Sequence, residues 1–83
     1  MDEKEIGKVS SYFKNASVAA IILSGKLKVG DKIHIKGNTT DFKLKVGSMQ
    51  IEQKKVSEAK SKDHIGIKVK DRVRPNDKVF LVK

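Results

Sequence analysis

Leu27-Lys28-Val29-Gly30-Asp31-Lys32-Ile33-His34-Ile35-Lys36-Gly37 is the stretch on which the fold turns. Gly30-Asp31 reads as a tight turn, since glycine accepts positive φ and aspartate bonds nearby backbone. Lys32–Lys36 then alternates strictly, which places Ile33 and Ile35 on a buried face and Lys32, His34 and Lys36 on the other. Gly37-Asn38-Thr39-Thr40 is turn-like, and Phe42-Lys43-Leu44-Lys45-Val46 alternates again. Two half-buried strands joined by a short polar turn make a β-hairpin.

The same period extends in both directions. Upstream, Ile6–Phe13 reads as a strand with Gly7, Val9, Ser11 and Phe13 on one face. Ser17–Leu23 contains the run Val18-Ala19-Ala20-Ile21-Ile22-Leu23, apolar on both faces, as a central buried strand requires. Downstream, Phe42, Leu44 and Val46 lie at even positions but Met49 and Ile51 at odd ones. One long strand, bent by a β-bulge at Gly47-Ser48, accounts for that change of phase. Ile65, Ile67 and Val69 mark a fifth strand and Val79–Val82 a sixth. Residues 54–62 read as a connecting loop, or one helical turn, with Val56 and Ala59 tucked underneath. Asp31, Asp63 and Asp77 each stand two residues before a branched apolar residue at a strand entrance, an arrangement that sets a turn and carries no catalysis.

Val and Ile number 17 against four Leu, a bias toward side chains that suit a pleated sheet. Six short strands without an amphipathic helix to cover a flat sheet predict an all-β domain: a six-stranded Greek-key barrel, closed or nearly closed. Its 83 residues allow one such domain, with residues 1–5 expected as a disordered N-terminal tail.

The formal charge is +9, from 19 Lys and Arg against ten Asp and Glu. Residues 1–25 balance at three and three, so the surplus belongs to residues 26–83, where it is spread rather than blocked. It favours polyanionic partners. The absence of cysteine excludes disulfides and thiolate metal sites. The N-terminus resembles no secretory signal and no apolar run could cross a membrane as a helix, so a cytoplasmic protein without membrane partners is expected.

The alternation turns Lys32, His34, Lys36, Lys43, Lys45, Lys68 and Lys70 outward. Cations two apart on a strand stand about 6–7 Å apart, comparable with a phosphate repeat, and could grip RNA backbone without reading sequence. A merely solvated face is the alternative. Arg72 and Arg74, the only arginines, flank Val73 in a loop suited to anion contact, or to pairing with Asp71. The candidate nucleic-acid-binding residues are thus Lys36, Lys43, Lys45, Lys68, Lys70, Arg72 and Arg74. Phe42 and Phe80 read as core; Tyr12, beside a hairpin loop, is either a stacking platform or a partly buried strand residue. His34 and His64 are too few for a metal site and read as surface residues. No nucleophile–base or paired-carboxylate arrangement emerges, so no enzymatic activity and no cofactor are expected.

The order of these elements resembles the second, β-barrel domain of translational GTPases such as elongation factor Tu. The resemblance rests on Leu27–Gly37, on Ile6-Gly7-Lys8-Val9 with Ser17–Leu23 as a first hairpin, on Val46–Lys55 with Met49, on His64–Val69, and on Asn76-Asp77-Lys78-Val79. A similar barrel closes some collagenase-like peptidase family proteins, whose members include tRNA-modifying factors; Ile33–Phe42 and Ser48–Glu52 look especially like that version. The resemblance implies a translation-factor type of barrel that binds tRNA, ribosomal RNA or a ribonucleoprotein. Alternatively, it implies a module docking on a GTPase or RNA-modifying enzyme. It does not carry over GTP binding, because no G-x-x-x-x-G-K-[ST] loop exists in the chain. Nor does it carry over the aminoacyl contact, because Met1–Glu5 does not match.

Overall fold

The computed structural model describes residues 3–52 and 54–82, and within them the chain is all-β. Ten strands follow in order: β1 Glu3–Phe13, β2 Val18–Leu23, β3 Leu27–Lys28, β4 Lys32–Lys36, β5 Asp41–Lys45, β6 Met49–Ile51, β7 Lys54–Val56, β8 Glu58–Ala59, β9 His64–Lys68 and β10 Lys78–Val82. Eight form one antiparallel sheet in the order β5-β4-β10-β1-β2-β9-β6-β7, and β3 pairs with β8 in a small second sheet. The large sheet has β5 and β7 as edges, so the expected six-stranded closed ladder is not what the described residues form. The core is nevertheless single. Ile6, Val9, Ile21, Ile33, Ile35, Met49, Ile67 and Val79 from the large sheet pack with Leu27 and Ala59 from the small one.

Several strands differ from expectation. The even-to-odd change of phase between Val46 and Met49 is a break between two strands rather than a bulge in one: β5 pairs only with β4, whereas β6 pairs with β7 and β9. Val46 is buried at the break, donating its N–H to Asp31 O (2.8 Å) and accepting the Gly30 N–H (2.9 Å). Residues 54–62 supply β7 and β8 instead of a loop, although Ala59 is buried and Val56 half-buried as expected. β1 begins at Glu3, inside the stretch expected as a tail, of which residues 1 and 2 lie outside the described residues.

The three aspartates do set turns, and identically. Asp31, Asp63 and Asp77 each donate their N–H to the carbonyl three residues back, at 3.0, 3.0 and 3.1 Å. Each also accepts that same residue's N–H on Oδ2, from Lys28 (3.0 Å), Lys60 (2.9 Å) and Arg74 (2.9 Å). The third residue of every turn has positive φ: Gly30 at 99°, Lys62 and Asn76 at 76°. That is the type II pattern, for which glycine is best suited and a long side chain least. Lys62→Gly should therefore raise stability by about 0.5–1 kcal/mol in urea melts. Gly30→Ala should lower it by about 1 kcal/mol for conformational reasons alone, since a Cβ there meets nothing within 4 Å.

β1 carries two register shifts, between Glu5 and Gly7 and between Val9 and Ser11. Each inserts one residue, Ile6 and Ser10, and bends the strand that joins the two halves of the sheet. The second shift has a consequence for the aromatics. Past Ser10 the inward position passes from odd to even residues, so Tyr12 faces Ala19 and packs on the core while Phe13 faces Val18 and stands 56% exposed. Phe13 thus leaves the face it was expected to share with Val9, and Tyr12 is the partly buried strand residue that was one of its two readings.

Candidate nucleic-acid interface

Register fixes the outer face of β5-β4-β10-β1 as three cross-strand rows. They are Lys45–Lys32–Val82–Glu3, Lys43–His34–Phe80–Glu5 and Asp41–Lys36–Lys78–Lys8. Lysines dominate, but the face is not free of acids. Glu3 and Asp41 reach the centre of the lattice and hold His34 between them. His34 donates from Nδ1 to both Glu3 oxygens (3.0 Å each) and from Nε2 to Asp41 Oδ1 (2.5 Å). Lys43 Nζ lies 3.9 Å from Glu3 Oε2. His34 is therefore a buried, clamped residue rather than the surface residue expected, and Lys43 already has a carboxylate partner. His64 is exposed. Phe80 is half-buried, with its ring centroid 6.4 Å from that of His34, so it closes the outer face rather than filling the core.

Carboxylates only accept, so both imidazole contacts require both ring nitrogens protonated. The hydrogen bond to Asp41 raises His34 above its ordinary range; burial opposes the rise and Glu3 adds to it. Asp41 is lowered in turn, chiefly by its bond to His34. A raised histidine contributes stability that is full below its unfolded pKa and disappears as pH rises through its folded one. The lowered aspartate contributes stability above its unfolded pKa, lost as pH falls through its folded one. The clamp is consequently strongest in mildly acidic solution. The melting temperature should fall as pH rises from about 6 through the His34 transition. His34→Gln should remove that fall, which thermal melts across pH would show.

The seven candidate cations do not form one site. Lys36 and Lys43 sit on the lattice just described. Arg72 and Arg74 are exposed on a loop anchored by buried Val73 between them. Arg74 Nε donates to Thr39 Oγ1 at 2.8 Å, so this arginine is turned onto the β4–β5 tip, and neither arginine has Asp71 within 4.0 Å. Lys45, Lys68 and Lys70, by contrast, come together around an open groove of about 510 Å³ that Leu44, Gly47, Ser48 and Val69 also line. The groove lies where the chain leaves β5 and crosses to β6, beside the end of β9. Among the described residues none of these three lysines has a carboxylate within 4.0 Å.

A larger cavity of about 700 Å³ lies at the small sheet, lined by Lys26, Lys28 and Lys60 together with Asp31, Glu58 and Asp63. Its cations and acids offset each other, and Asp31 and Asp63 are engaged by turn N–H groups. The smaller groove is thus the better anion site despite its size. No group of three or more His, Asp or Glu side chains is placed to hold a metal ion among the described residues.

Convergence of Lys45 with Lys68 and Lys70 could not be read from sequence, because the two segments meet only through the break at residues 46–48. The His34 clamp had no local signal either, since Glu3 stands 31 positions away and Asp41 seven. The exposure of Phe13 depends on the inserted Ser10, whose only trace is a short polar Ser10-Ser11 pair within the strand.

Comparison with known proteins agrees with this architecture. The family described as elongation factor Tu domain 2 matches residues 17–73. An uncharacterized protease of Methanocaldococcus jannaschii is 45% identical over 80 residues, covering 95% of this chain and 20% of that protein. A collagenase of Porphyromonas gingivalis is 40% identical over 77 residues, covering 90% of this chain and 21% of the collagenase. This chain therefore spans about one-fifth of the length of these curated relatives. Among solved structures, the C-terminal domain of a Geobacillus thermoleovorans protein described as a U32 peptidase superposes with a TM-score of 0.90 at 17% identity, covering 96% of this chain and 93% of that one. Its selenomethionine variant gives 0.87 at 18% identity, over 92% and 96% of the two chains. The strand order, the turn at Gly30-Asp31 and these matches agree: the chain belongs to the elongation factor Tu domain 2 family and has the fold of a U32 peptidase C-terminal domain.

Proposed function

We propose that this chain is a non-enzymatic RNA-binding barrel that acts in the cytoplasm and holds tRNA or ribosomal RNA by its phosphates. The observation that carries this reading is the set of three lysines without carboxylate partners, Lys45, Lys68 and Lys70, around one groove. Ammonium groups on neighbouring strand ends can follow a phosphate backbone, and their flexible stems impose no sequence. Lys36, Lys43, Arg72 and Arg74 lie outside the groove and extend the positive surface. The test is binding of an unstructured RNA oligonucleotide at several salt concentrations. Three phosphate contacts should give a log–log slope of about −2 for a single strand. Absence of binding at low salt, or a flat slope, would overturn the reading.

A second reading is a module docking on a GTPase or RNA-modifying enzyme. It is favoured by Ile22, which is 41% exposed and lines a groove of about 500 Å³ with Glu5, Lys8, Ser10 and Asn76. Crosslinking in extract that recovered protein and no RNA would support it over the first.

A further inference from the structure

Phe13 is the most exposed large apolar side chain described, at 56%, and it belongs to no cluster. Its position follows from the Ser10 bulge, which turns Phe13 outward at the end of β1. The register then places it in one outer row with Val18 and Lys68. Two strand spacings, about 10 Å, separate the backbones of Phe13 and Lys68. Ser17 O accepts the Val69 N–H at 2.8 Å, which ties the hairpin loop after Phe13 to the segment leading into Lys70. The aromatic ring therefore shares an outer row with Lys68, one of the three lysines that line the groove.

The surroundings suit a planar ligand. The next outer row begins Ser11–Ala20–Gly66, with nothing larger than Ala and Ser before Gln50 of β6, and the residue directly opposite Phe13 is the apolar, half-buried Val18. A Cβ at Gly66 would approach Val18 Cγ1 at 3.2 Å, so the glycine leaves room for Val18, which adds an apolar side chain beside Phe13. The nearest charges along the chain and along the row, Lys14 and Lys68, are both positive and exposed. An apolar platform with a cationic rim complements a ligand that pairs a flat ring with a phosphate.

We infer that Phe13 stacks an unpaired base of a single-stranded RNA segment whose phosphates run over Lys68 and Lys70 toward Lys45. This rests on the RNA reading above and names its substrate class. Bases inside a duplex present no free face to such a platform, whereas every unpaired base does.

The chain contains no tryptophan, so Phe13→Trp installs a sole indole reporter. Because Phe13 faces outward, F13W and F13A should melt like the parent protein. A 12-residue oligo(U) should quench F13W emission, and a 12-base-pair RNA duplex should leave it unchanged. F13A should weaken oligo(U) binding by about 5- to 100-fold with duplex binding unaffected. Salt-dependent oligo(U) binding that is the same in F13A and parent, with F13W emission unmoved, would overturn the stacking inference and leave the RNA reading standing. Failure of the parent protein to bind either RNA would overturn both. Emission that responds to a crosslinked protein partner and not to oligo(U) would overturn stacking in favour of docking.

Discussion

Ile21→Ala should cost about 2–5 kcal/mol, whereas Ile22→Ala, one residue along the same strand, should cost under about 1 kcal/mol. The residues are chemically identical and differ only in the face they occupy. Ile21 is 1% exposed, opposite Val9 on one side and Ile65 on the other. Truncating it removes buried methyl groups and leaves a cavity that three strands cannot close. Ile22 is 41% exposed, between Lys8 and His64 on the outer face. A domain of this size has a total stability of roughly 4–12 kcal/mol, so the first substitution removes much of it. Urea denaturation of the two variants measures the contrast directly. Equal losses would mean that β2 is covered on both sides, as its continuous apolar run suggests.

The second large effect is expected at the β4–β5 tip. Gly37 donates its N–H to Thr40 O, and a Cβ on it would fall 2.0 Å from Asp77 Oδ1. Asp77 cannot easily withdraw. It is 4% exposed and its other oxygen accepts the Arg74 N–H at 2.9 Å. Gly37→Ala must either expel that carboxylate and leave the turn N–H unpaired, or displace the hairpin tip. Either route costs about 1–3 kcal/mol. Asp77→Ala alone should cost a similar amount through the lost turn bond. In the D77A background, however, Gly37→Ala should cost little, because the obstructing oxygen is gone. Chemical denaturation of the four proteins closes the cycle, and strict additivity would show that the two residues do not meet.

The parts of the fold legible in sequence were those set by local chemistry. The inward Ile33 and Ile35 and the three turn aspartates needed only neighbours within three positions, and both appear in the structure, whereas the burial of His34 between the two isoleucines did not follow from the alternation. Features that depend on an inserted residue were not legible. Ser10 exchanges the faces of Tyr12 and Phe13, and residues 46–48 divide one apparent strand between the two ends of the sheet. A period-two pattern reports phase but not which backbone partner lies alongside. The candidate site followed the same division. Outward lysines were readable from alternation. Their sorting into a free groove set, a lattice tempered by Glu3 and Asp41, and an arginine bound to Thr39 required the tertiary path.

We propose that the groove lysines, rather than net charge, hold RNA. This is tested by comparing K45Q/K68Q/K70Q with K26Q/K28Q/K60Q, two variants of equal net charge, for binding to one unstructured RNA oligonucleotide across salt concentrations. The groove variant should bind about tenfold or more weakly at low salt and lose about 2 from its log–log salt slope, while the variant at the small sheet keeps the parent's slope. Equal losses in both proteins would contradict the account, because the +9 charge would then act as a diffuse field with no site in it.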